Sequence, residues 1–106
     1  MRKEKKYYWP NGKLKHIIPY KNGKLHGIEK SYYRNGNPSY EMLFTNGKKC
    51  GIEKRYYRNG DIMFEISFKN NIRYGITKFY SYRLKLVKVK TYYHNNFIHG
   101  IKLGLK

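Results

Sequence analysis

A chain of 106 residues with 24 Lys and Arg against six Asp and Glu carries a formal charge of +18 and has room for one domain, residues 1–106. The lone Cys50 excludes an internal disulfide, and no run of the chain approaches the roughly 20 apolar residues of a membrane-spanning helix. Such a field attracts nucleic acid, anionic lipid or an acidic protein; codon bias can inflate Lys and Tyr but does not explain so few acids.

The N-terminal segment is basic with no apolar stretch behind it, so no signal peptide is expected, and the single thiol suits a reducing compartment; the reading is cytoplasmic. Residues 3–9 read as a strand that ends at Asn11-Gly12, where a type I′ turn is expected because Asn and Gly accept positive φ. Residues 13–20 then alternate, Leu14, His16, Ile18 and Tyr20 against Lys13, Lys15, Ile17 and Pro19, the period of a half-buried strand. Pro19 cannot donate to a ladder, which predicts a strand near an edge or an outward proline. A second turn, Asn22-Gly23, leads into GIEKSYYRNG at 27–36, and GIEKRYYRNG at 51–60 repeats it with one change. The period is 24 residues, two strands and two turns per copy, with copies at about 6–29, 30–53, 54–77 and 78–102. Gly27, Gly51 and Gly75 fall inside strands and mark bulges or close backbone approach.

Repeat equivalence assigns the faces. Pro38, Tyr40, Met42 and Phe44, then Ile62, Phe64, Ile66 and Phe68, form the core face, while Glu41, Glu65 and their neighbours face water. Lys30, Lys54 and Lys78 are expected to lay their stems over tyrosines, and Cys50 to be a small buried thiol. In the fourth copy one residue is added, which puts Val87, Val89, Thr91 and Tyr93 on the core face and makes this copy a cap, with Ile101, Leu103 and Leu105 either closing the end or docking a partner. No segment has helical periodicity. The predicted fold is all-β: an open, single-layer antiparallel meander of about eight strands, roughly 25 Å by roughly 40 Å.

The segments YYWPNGKLKHIIPYKNGKLHG at 7–27, YYRNGNPSYEMLFTNGKKCG at 32–51 and YYRNGDIMFEISFKNNIRYG at 56–75 resemble the MORN repeat variant, in the form found in the YwqK family of bacterial antitoxins. The resemblance implies an open β-array without enzymatic activity, acting as a binding scaffold, with toxin neutralisation as the family role and phospholipid contact suggested for the wider MORN group.

The inventory for catalysis is thin. His16, His26 and His99 occupy positions where other copies carry Tyr, Phe or Cys, and no His or Cys pair has ligand spacing, so neither an enzyme, a metal nor a cofactor is expected. Glu29 and Glu53, like Glu41 and Glu65, are repeat-equivalent and read as partners of lysines across strands. The basic and aromatic mixture is the functional signal: Tyr33, Arg34, Lys54, Arg55, Tyr57 and Arg58 form the candidate binding set. The first tyrosine of each Tyr-Tyr pair reads as sheet ladder, whereas for the second both readings, ladder and binding surface, stand. An acidic protein partner accounts best for the charge; single-stranded nucleic acid stacked on the rings, or an anionic membrane surface, are the alternatives. Exposed sheet edges could also pair two copies unless lysines blunt them.

Overall fold

The computed structural model describes residues 1–81, 85–93 and 96–102. It holds eleven strands, β1 (Arg2–Tyr8), β2 (Leu14–Lys21), β3 (Lys24–Leu25), β4 (Gly27–Tyr32), β5 (Pro38–Thr45), β6 (Lys48–Lys49), β7 (Gly51–Tyr56), β8 (Ile62–Lys69), β9 (Ile72–Ser81), β10 (Lys85–Tyr93) and β11 (Asn96–Lys102). They form one antiparallel sheet in the order β1-β2-β4-β5-β7-β8-β9-β10-β11, with the two-residue strands β3 and β6 beside β2 and β5. The path has nine rungs rather than about eight, because β1 precedes the first complete pair. The molecule measures 44 × 32 × 12 Å. A second sheet would add about 10 Å of thickness, so 12 Å means a single layer, and β1 and β11 remain its open edges.

The two kinds of Asn-Gly turn differ. At the second turns Asn22 and Gly23 have φ of 52° and 79°, and Asn46 and Gly47 have 48° and 84°, the two positive values of a type I′ hairpin. Asn70-Asn71 adopts the same geometry with φ of 51° and 70°. At the first turns only Gly12, Gly36 and Gly60 are positive, which corrects the type I′ expectation there. Gly12 N donates to Trp9 O, and Trp9 N to Lys13 O, so Pro10-Asn11-Gly12 is a three-residue loop with a type I turn closed by a glycine bulge. The asparagine side chain decides the difference: Asn11, Asn35 and Asn59 each accept, through Oδ1, the N–H two residues on. That Asx turn holds the asparagine out of the left-handed region.

Bulges recur where the repeat places glycine. The strands break at His26 and Cys50, whose N–H groups donate to Pro19 O and Leu43 O, and Gly27 and Gly51 follow with φ of 113° and 114°. A Cβ on Gly27 would stand 3.3 Å from Pro19 Cβ. Pro19 is therefore buried at a bulge in the second strand of the path, near the edge as expected and not turned outward. Cys50 is half-buried rather than buried.

The core face is the one read from the repeat. Tyr40 opposes Arg55, which opposes Phe64, while Glu53 and Gly51 oppose Ile66 and Phe68 and Phe44 opposes Lys49 of β6. Met42 is fully buried and Phe44 is 7% exposed, yet Glu53 at 5% and Thr77 at 2% are buried with them. In the fourth copy the register shifts between Leu86 and Lys88, and this overturns the expected assignment. Lys88, Lys90 and Tyr92 oppose Phe79, Thr77 and Gly75 on the core face, so Val89 and Thr91 lie on the other. The bulge restores the 24-residue spacing, since Lys88, Lys90 and Tyr92 stand 24 residues after Phe64, Ile66 and Phe68. The side chains of Val87, Tyr93 and Ile101, with Leu103 and Leu105, lie outside the described residues.

Candidate functional site

The core face carries rings with cations laid across them. Arg55 lies 4.5 Å from the centroid of Tyr40, Lys49 4.8 Å from Phe68, Arg73 5.1 Å from Tyr92, and Lys88 4.6 Å from Phe79. A one-layer sheet has no second layer to cover these rings; the cationic side chains do it, stems down and charges toward water. Two carboxylates are set into this face. Glu53 is held between Lys49 Nζ and Arg55 Nε, both at 3.1 Å, and two cations offset the cost of burying it. Glu29 meets His16 Nε2 at 2.7 Å. Burial, then the fields of Glu29 and Glu53, push the Tyr40 phenol well above its ordinary pKa, with Arg55 opposing.

The opposite face carries a charge ladder that only the strand order reveals. Lys30, Glu41, Lys54, Glu65 and Lys78 oppose one another in sequence across five strands. The three lysines expected beside tyrosines thus stand opposite carboxylates, with Lys30 Nζ 3.9 Å from Glu41. Tyr56, the first tyrosine of its pair, and its repeat equivalent Tyr80 complete the rungs: the Tyr56 phenol donates to Glu41 and the Tyr80 phenol to Glu65. Burial first, and these bonds second, raise both phenol pKa values. Beside the ladder Ile28, Leu43, Ile52 and Ile76 are exposed, at 40–50%.

A third surface is the row of first turns. Trp9 Nε1 donates to Tyr32 O at 3.2 Å, the Tyr33 phenol to Tyr56 O at 2.6 Å and the Tyr57 phenol to Tyr80 O at 2.9 Å. Each ring therefore ties one copy to the main chain of the next. Arg34 lies over Trp9 and Arg58 over Tyr33, while the Asn11 and Asn35 amides donate to Arg34 O and Arg58 O.

The six candidate residues thus occupy three surfaces: Tyr33, Arg34, Tyr57 and Arg58 on the turn row, Arg55 on the core face, and Lys54 in the ladder behind it. Sequence reasoning missed Lys49 and Arg73, which lie over rings. Their 24-residue spacing was a usable signal.

The MORN repeat variant model matches residues 3–22, 25–46 and 49–70, more than half of the chain. The chain belongs to the MORN repeat variant family. No curated protein and no solved structure matches it. For this MORN-variant chain the matched copies span β1 to β8, so the charge ladder and the turn row are built mostly from matched repeats. A MORN-repeat array of this kind is a binding repeat protein. Among the described residues no three His, Cys, Asp or Glu side chains gather as a metal site would need.

Proposed function

We propose that this MORN-variant chain is a non-enzymatic cytoplasmic inhibitor that covers an acidic surface on a protein partner, in the manner of an antitoxin or of a phage-type antagonist of a nucleic-acid-processing enzyme. One observation carries the reading. Five of the six carboxylates are bonded within the chain, four in the sheet and one in a turn: Glu29 to His16, Glu41 to Tyr56, Glu53 to Lys49 and Arg55, Glu65 to Tyr80, and the turn residue Asp61 to Asn59. The acids are engaged locally while 24 cations set the external field, which supports a partner with an acidic surface. Inhibition would be by occlusion and needs no chemistry from the chain itself.

The nucleic-acid alternative requires bare rings for base stacking. Trp9, Tyr33 and Tyr40 already carry Arg34, Arg58 and Arg55 on their faces, which favours the protein partner. Affinity capture from nuclease-treated native lysate tests the choice, with Arg34→Gln/Arg58→Gln as the comparison. The expected result is an acidic protein that elutes with salt and is recovered poorly by the variant. Recovery of nucleic acid alone from untreated lysate, and of no protein after nuclease, would overturn the reading. The alternative then predicts that log K for a single-stranded oligonucleotide falls by about 0.7 per phosphate neutralised for each unit of log salt.

A further inference from the structure

The ladder breaks at one place. Lys30, Glu41, Lys54, Glu65 and Lys78 alternate in sign, and the next rungs toward the N-terminal edge are Ile17 and then Lys6. Ile17 stands 24 residues before Glu41 and 48 before Glu65, so the first copy places an apolar side chain where the others place a carboxylate. Lys6 and Lys30 therefore flank Ile17 from both sides with no acid between them.

The phenols tell the same story. Tyr56 donates to Glu41 and Tyr80 to Glu65, and their repeat-equivalent, Tyr32, would find its acceptor at position 17. Among the described residues nothing accepts a hydrogen bond from the Tyr32 phenol, which is half-buried. Lys6, Ile17 and Lys30 line one groove with Arg2, Glu4, Pro19 and Ile28, so two ammonium groups and a guanidinium outnumber the single carboxylate, Glu4, around an apolar floor.

We infer that this groove at the N-terminal end of the ladder face binds a carboxylate side chain from an acidic, partly apolar segment of the partner protein, which completes the missing rung between Lys6 and Lys30. The inference rests on the proposed acidic protein partner and locates its contact. The bound carboxylate would sit above Ile17 and accept from Lys6, Lys30 and the Tyr32 phenol, as Glu41 and Glu65 accept from their neighbours. An apolar side chain next to it in the segment would lie on Pro19 and Ile28. Carboxylate is favoured over phosphate because the two intact copies supply the negative image of the site, and in both the acceptor is a glutamate.

The test uses the molecule's own repeat. Ile17→Glu writes into the first copy the residue already present in the second and third, so it fills the groove from within. Thr45→Glu makes the same change of charge at an exposed position at the far end of β5. The probe is a fluorescent peptide of alternating Glu and Leu, titrated by anisotropy in about 0.15 M salt, where charges beyond about 8 Å are screened. Ile17→Glu should weaken binding by about tenfold or more, the loss expected for a charged hydrogen-bonded contact, whereas Thr45→Glu should leave it within about twofold. Lys6→Gln, on the exposed edge strand, should weaken it as well, and this keeps the test open if Ile17→Glu fails to fold. Equal effects of Ile17→Glu and Thr45→Glu would show that only bulk charge is read, and would overturn the inference. Tighter binding of a phosphoserine version of the peptide, lost equally in Ile17→Glu, would overturn the choice of carboxylate. Captured acidic protein that Ile17→Glu retains in full would remove this groove while leaving the proposed function standing.

Discussion

Gly27 and Gly75 occupy the same place two copies apart yet differ in what surrounds them. Both have φ above 90°, where an L side chain is strained, but only at Gly27 would a Cβ press on Pro19. Gly75→Ala should cost about 1–3 kcal/mol from strain alone, and Gly27→Ala more, when both are measured by urea unfolding. Tyr33→Phe removes the donor that ties its copy to Tyr56 O, and about 1 kcal/mol should be lost while the ring contact with Arg58 survives. Phenols also set a pH limit. The folded pKa values of Tyr40, Tyr56 and Tyr80 lie above the ordinary value near 10, so the unfolded chain releases these protons first. Their contribution is complete below about pH 10 and is lost as pH rises above it. Tyr56→Phe/Tyr80→Phe should flatten the fall in stability through that alkaline range.

At the scale of the element, an Asn-Gly pair is one sequence signal with two structural outcomes, and the asparagine does different work in each. Asn46 contributes a left-handed backbone, which aspartate also tolerates, so Asn46→Asp should be nearly neutral. Asn35 contributes an amide that donates to Arg58 O in the next copy, and Asn35→Asp should cost about 0.5–1.5 kcal/mol in the same unfolding assay. The period, the turns, the strand glycines and the core face of the first three copies were legible, because each is a local pattern repeated at fixed spacing. What sequence alone did not give is what depends on neighbours. Counting an added residue before Val89 places it on the core face, whereas the bulge between Leu86 and Lys88 resets the alternation. Likewise Lys30, Glu41, Lys54 and Glu65 are separated by 11 to 13 residues and become a ladder only once the pairing register is known. The dispersal of the six candidate residues over three surfaces has the same origin: Lys54 and Arg55 adjoin in the chain and so point to opposite sides of the sheet.

For the molecule as a whole, charge and thinness act together. A layer 12 Å thick spreads +18 over two wetted faces, and self-repulsion opposes its compact state. Raising salt from about 0.02 M to about 0.3 M shortens the screening length from over 20 Å to about 6 Å, and Tm should rise across that interval, unlike that of a sheet held mainly by surface ion pairs. The edges follow the same logic: β1 presents Lys3, Lys5 and Lys6 on a fully exposed strand, a composition that discourages pairing with another copy. The ties between copies have a kinetic counterpart. The bonds from Trp9, Tyr33 and Tyr57 each reach 23 residues along the chain, and every strand pairs with one close to it in sequence. Loop closure is therefore short throughout, which for an all-β protein favours fast folding. Each copy thus needs only its successor in the chain to complete its bonds, so damage to one copy should loosen its neighbours and leave the pairing of distant copies in place.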